Sequence, residues 1–161
     1  MNVYDSDIMK LKRKFLNLIM ENNNIMSLLN YTEYNPDNPS ACMYKVLFPY
    51  IKTDTAAISV QTYIGLSIIS TSLSKNDIYK NFVLTISVIC HNDAMKTSYG
   101  GTRCDVICGE LIKMLNWNSS IGFELDLGYD VEEPLNDKYY YRTIKFKSIT
   151  SNSMVNGVKQ N

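Results

Sequence analysis

Several side-chain sets in this sequence have types and spacings that chemistry uses. His91 is the one histidine, with Cys90 before it and Asp93 two residues on. A hydrolytic dyad with a serine or cysteine nucleophile can be drawn around it, because an imidazole pKa near ~6.5 suits a general base. No Gly-x-Ser-x-Gly elbow accompanies it, and a histidine bonded to a nearby carboxylate or backbone group explains the same residues. Cys104 and Cys108 stand four apart downstream of Cys90 and His91, which offers four zinc-ligand types. The spacing is irregular for zinc, and neighbours on a strand point to opposite faces, so buried free thiols are the simpler expectation.

Tyr99-Gly100-Gly101-Thr102 before a helix resembles a phosphate cradle but lacks the Gly-x4-Gly-Lys-Ser/Thr pattern. Lys10, Lys12, Arg13 and Lys14 could meet a phosphate backbone or an acidic protein, although such a run is usually a solvated helix face. Tyr139, Tyr140 and Tyr141 followed by Arg142 could stack single-stranded bases. Strand alternation would divide them between two faces, which favours sheet packing or a subunit interface, with Tyr139 and Tyr141 as interface candidates. No catalytic set, metal or cofactor is expected from these residues.

The elements that must position them follow from periodicity. Ile8, Leu11, Phe15, Leu18 and Ile19 form a stripe at helical period over 6–21, with Asp5 or Ser6 able to cap it. Glu21-Asn22-Asn23-Asn24 ends that helix, and Ile25 to Leu29 offer one or two further turns. Val46 to Tyr50 reads as a short extended piece halted at Pro49. Strands are expected over 61–70 and 81–91, the second apolar on both faces and therefore inside the sheet. Thr102 begins the best helix, with Asp105 in capping-box position and Cys104, Ile107, Cys108, Leu111 and Leu115 as its buried stripe. Strands over 122–129 and 138–148 follow, joined by an acidic connection. The expected fold is α+β in the order α-β-β-α-β-β, a small, mostly antiparallel sheet packed by helices. Residues 1–148 would form one domain, and 149–161 a mobile C-terminal tail.

Composition bounds the partners. A chain of 161 residues is long enough for one self-sufficient core and too short for two ordinary domains. Its 16 basic and 16 acidic residues cancel, which excludes the electrostatic footprint of a dedicated nucleic-acid binder. No apolar run approaches a membrane span or a signal-peptide core, and four cysteines in such a chain point to free thiols, so a soluble protein of reduced cytoplasm is expected.

The order and spacing of Leu47-Phe48-Pro49-Tyr50, Thr62-Tyr63-Ile64, Ile86-Ser87-Val88-Ile89-Cys90-His91 and Tyr99-Gly100-Gly101-Thr102-Arg103-Cys104-Asp105-Val106-Ile107 resemble a family of small tailed-bacteriophage structural proteins. These are the tail terminator and tail completion (neck) proteins, and the similarity covers roughly residues 5–148. It implies a non-enzymatic virion protein, assembled in the host cytoplasm, that caps the head-proximal end of the tail tube. Its partners would be further copies of itself in a ring, usually a hexamer, the tail tube protein, and neck or head-completion proteins. Genomic DNA would pass through the channel without sequence-specific binding, and no membrane is involved.

Within that setting Arg103 and Asp105 are candidates for a ring-stabilising ion pair. Glu124, Asp126, Asp130, Glu132 and Glu133 are candidates to line the channel, where negative charge repels the DNA backbone. The rivals are a head-completion or adaptor protein at the portal, and a small cytoplasmic enzyme or metal-binding domain using His91 and the cysteines. Charge segregation suits assembly: Lys10 to Lys14 and Arg142 to Lys147 are basic, whereas Glu124 to Asp137 is acidic.

Overall fold

The computed structural model describes residues 7–52, 60–72, 79–119 and 121–151. Helix α1 spans Asp7–Glu21 and α2 spans Asn23–Leu28; a 3-10 turn, Pro39–Cys42, leads to strand β1, Leu47–Phe48. Strands β2, Thr62–Ser72, and β3, Tyr79–His91, precede helix α3, Arg103–Leu115; β4, Asp126–Pro134, and β5, Tyr139–Ser151, complete the fold. The expected α+β class is observed. The sheet order is β1-β2-β3-β5-β4, with β1 parallel to β2 and all other pairs antiparallel.

Local chemistry explains the boundaries. Asn22 breaks α1 from α2 by turning its side chain into a cap, accepting from the Ile25 N–H at 3.1 Å. Thr102 and Asp105 form the full capping box of α3, each side chain accepting from the other's backbone N–H. The proposed caps Asp5 and Ser6, and residues 152–161 of the expected tail, lie outside the described residues. Residues 149–151, expected in that tail, extend β5 instead.

The strand placed at 122–129 runs over Asp126–Pro134, so the acidic stretch read as a connection is itself a strand. Charge argues against a buried strand but not against an edge strand, where side chains remain in water and charge discourages unwanted pairing. β4 is such an edge: only Leu127 and Val131 are half-buried in it, and the rest is exposed.

The core lies between one face of the sheet and the helices. Ile64, Leu66, Ile68, Phe82, Leu84, Ile86, Val88, Cys90, Ile144 and Phe146 alternate onto that face and are buried, which places β3 inside the sheet as its two-sided apolar pattern requires. Phe15 of α1 stacks on Phe82 at 6.2 Å between ring centroids, and Phe123 meets Phe82 edge-on at 5.1 Å. In α1 the buried stripe is Leu11, Phe15, Leu16 and Ile19, while Ile8 is exposed and Leu18 half-buried. The helix is thus rotated slightly from its sequence pattern. The stripe predicted for α3 is buried in full.

The opposite face is crossed at one end by the chain after β1. A Cβ on Gly65 would meet the Tyr50 carbonyl oxygen at 2.6 Å, so only glycine lets residues 50–52 pass over β2 there. That crossing positions Lys52 over the rings of Phe48 and Tyr63, 4.7 and 4.8 Å from their centroids. No helix among the described residues is long and apolar enough to cross a membrane.

Candidate functional site

The most organised polar assembly joins the start of α3 to the acidic edge strand. Register sets Glu132 opposite Arg142 and Asp130 opposite Ile144, so Arg142 and Asp130 are diagonal neighbours on the helix-covered face. Arg142 donates from Nε and Nη2 to the two carboxylate oxygens of Asp130, both at 2.7 Å, and from Nη1 to Asp105 Oδ1 at 2.5 Å. Asp105 uses its other oxygen to accept from the Thr102 N–H and hydroxyl. One guanidinium fork therefore ties β5, β4 and the α3 capping box together. Hydrogen bonding to Asp130 raises the already high Arg142 pKa. Burial pushes the Asp105 carboxyl up, but hydrogen bonds from Thr102 and the Arg142 charge outweigh it and hold it below its ordinary value.

Arg103 and Asp105 do not pair with each other. Arg103 turns the opposite way and donates to three backbone carbonyls, Ala94 at 2.5 Å, Leu28 at 2.7 Å and Lys96 at 3.4 Å, locking the loop before α3 onto α2. Tyr139 and Tyr141 share one sheet face. Tyr139 is buried on the face opposite the helices, edge-on to His91 at 5.0 Å, and Tyr141, half-buried on that face, donates to Glu133 at 2.8 Å.

The five candidate channel acids are separated as well. Glu124 and Asp126 are exposed beside the turn after α3, and Asp130 is held by Arg142. Glu132 is exposed on the helix-covered face and Glu133 on the other, as strand alternation requires. Arg142 is the residue that sequence reasoning missed at the centre of this edge. Its signal is an arginine in one arm of a hairpin whose other arm is acidic, but the pairing needs the register, which a strand over 122–129 does not provide and Asp126–Pro134 does.

The potential chemical sets do not converge. Cys90, Cys104 and Cys108 are buried on the helix side, while His91 lies on the other face, as alternation predicts. Cys90 meets Thr62 Oγ1 at 3.2 Å; a hydrogen bond with Cys90 and burial raise the Cys104 pKa, and burial lifts Cys108 to about 12. His91 Nδ1 accepts from the Asp93 N–H at 3.1 Å, so that nitrogen serves as a cap. Among the described residues no three His, Cys, Asp or Glu side chains are grouped to hold a metal ion. In the basic run Lys12 and Lys14 donate to the carbonyls of Pro49 and Ile121.

In the turn after α3, Trp117 presents its ring to solvent, 65% exposed, on a left-handed backbone with φ of 59°. The backbone N–H of Trp117 donates to the Leu125 carbonyl at 2.8 Å, which fixes the residue opposite the Glu124–Asp126 segment.

No curated protein matches the chain. The family model of YomW matches residues 22–148, which span α2 through most of β5, and the chain therefore belongs to the YomW family, a phage-derived one.

Proposed function

We propose that the chain is a structural protein of the phage virion, a tail terminator that closes as a ring on the head-proximal end of the tail tube and joins it to the neck. The observation that carries this reading is the polarity of the sheet. One border is the acidic strand Asp126–Pro134; at the other, residues 43–52 hold Lys45 and Lys52 and no acid. A subunit with unlike borders can meet its own copies head to tail and close a ring. Membership in a phage-derived family supports the virion setting.

The mechanism is binding without bond chemistry. One rim of the ring imitates the contact a tube subunit would make, and the other rim lacks the surface that adds another layer. Glu124 and Asp126, exposed at the start of the edge strand, supply the negative wall that lets DNA pass without adhering. Asp130 is a positioning residue through Arg142. Trp117 is an anchor for the tube or neck partner, since a large exposed aromatic is the commonest kind of interface hot spot.

The test is to add the purified chain to growing tubes of the cognate tail tube protein and measure tube length by negative-stain imaging. Tubes should stop and carry a ring at one end. Tubes that grow unchanged, with the chain bound to portal complexes in twelve-fold assemblies instead, would replace the terminator with the adaptor reading.

A further inference from the structure

We infer that neighbouring copies join through a specific pair of surfaces: the β1 border of one chain, Tyr44 and Lys45, against the β4 border of the next, Tyr129, Glu132 and Glu133. This rests on the ring in the proposed function and names the contact that would close it.

Exposed aromatics mark both borders. Tyr44 is 64% exposed beside β1, and Tyr129 is 42% exposed on β4. Lys145 stands over one side of the Tyr129 ring at 4.8 Å from its centroid, and the ring surface left in water on Tyr129 and Tyr44 combines an apolar body with a polar tip suited to an interface. Tyr44 also stands on a left-handed backbone, φ 61°, fixed by its N–H bond to the Leu47 carbonyl at 2.8 Å. The ring is thereby held outward on a short, braced turn.

Charge selects the partner. Lys45 is exposed next to Tyr44, and the β1 border from 43 to 52 has no acid. Glu132 and Glu133 are exposed on β4; Glu133 accepts one hydrogen bond, from Tyr141, and Arg142, directly opposite Glu132, is already engaged by Asp130 and Asp105. Two acidic borders or two basic borders would repel, so the complementary contact is head to tail between unlike borders.

Register places the two patches at one level. Leu47 pairs Ile64, Ile64 pairs Val88, Val88 pairs Arg142 and Arg142 pairs Glu132, so a line across the sheet from β1 ends at Glu132. A neighbour set beside β4 without axial shift brings its β1 border to Glu132 and Glu133. Successive copies then stay in one layer, which a ring needs and a filament does not.

Charge reversal tests the contact using the full chain. Lys45→Glu sets an acid against Glu132 and Glu133 at the contact, and Glu132→Lys with Glu133→Lys sets two lysines against Lys45. Native mass spectrometry should show wild-type rings, each variant alone shifted to monomer with association at least tenfold weaker, and rings of alternating subunits when the two variants are mixed. Circular dichroism checks that each variant is folded; should Glu132→Lys with Glu133→Lys fail to fold, Tyr44→Ala takes its place and should weaken rings by a similar factor. Rings in every unmixed sample overturn this contact and leave the terminator reading standing. A wild-type chain that remains monomeric overturns the contact whatever the tube assay gives, and the tube assay alone then decides the terminator reading.

Discussion

Arg142 grips Asp130 with two parallel hydrogen bonds of 2.7 Å, across the hairpin that carries the acidic edge strand. About a quarter of each side chain is exposed, so the pair is neither fully buried nor freely screened. Removing the guanidinium strands two carboxylates, Asp130 and Asp105, that were placed to receive it. Arg142→Ala should cost about 1–3 kcal/mol, below the loss for a fully buried pair and above that for a surface pair. Arg142→Lys keeps the charge but not the planar fork and should recover less than half of that. Urea melts of the two variants and of Asp130→Ala, combined in a double-mutant cycle, give the coupling directly; zero coupling would mean that the pair does not hold the strand.

The same cluster sets a pH dependence. The Asp105 carboxyl is depressed in the fold because the Thr102 and Arg142 hydrogen bonds outweigh burial. A depressed carboxyl stabilises fully above its unfolded pKa, about 3.9, and that contribution is lost as the pH falls through the lower folded value. Wild-type stability should therefore decline below about pH 4, and Asp105→Asn should flatten the slope there. Denaturant midpoints from pH 2 to 7 check the sign. An unchanged slope would show that Asp105 has the same affinity for protons folded and unfolded.

The parts of the fold that were legible in the sequence are those with strong local signals. The α3 stripe and its Thr102–Asp105 box need only a 3.6 period and two polar residues, and both are present in the structure. β3 was readable as an inner strand because apolar residues occupy both of its faces. β4 was not, since nothing local distinguishes an acidic edge strand from an acidic loop; pairing with β5 decides it, and pairing is non-local. The same gap hid Arg142, whose partners are 12 and 37 residues away in the chain. Trp117 and Tyr44 were unreadable for another reason: exposure and a positive φ belong to the turns, not to the residue types.

Gly65 is a further test of the non-local fold. Its missing Cβ makes room for the Tyr50 carbonyl, which a methyl would approach to 2.6 Å. Because the obstacle is backbone, a rotamer change cannot relieve it. Gly65→Ala should cost about 1–3 kcal/mol, the usual range for overpacking a tight site, and should loosen β1 together with the crossing at Tyr50 and Lys52. Thermal melts measure the cost. Hydrogen exchange should show the loss of protection concentrated in residues 46–52 and β2, and a uniform loss would argue against the crossing as its source.

Trp117 separates binding from stability. Its ring is mostly in water, so truncation removes little packing, while its left-handed backbone costs a non-glycine residue roughly 1 kcal/mol. Trp117→Ala keeps that strain and loses the ring. Trp117→Gly loses both, although the greater freedom of glycine in the unfolded chain offsets part of the relief. The expected order of stability is Trp117→Gly at or slightly above Trp117→Ala, with both within about 1 kcal/mol of wild type. If Trp117 is the anchor for the tube or neck, both variants should nevertheless cap tubes at least tenfold less effectively, because the loss follows the ring and not the backbone. Capping that follows stability instead, normal in both variants, would remove Trp117 from the partner surface and leave its exposed position without a binding role.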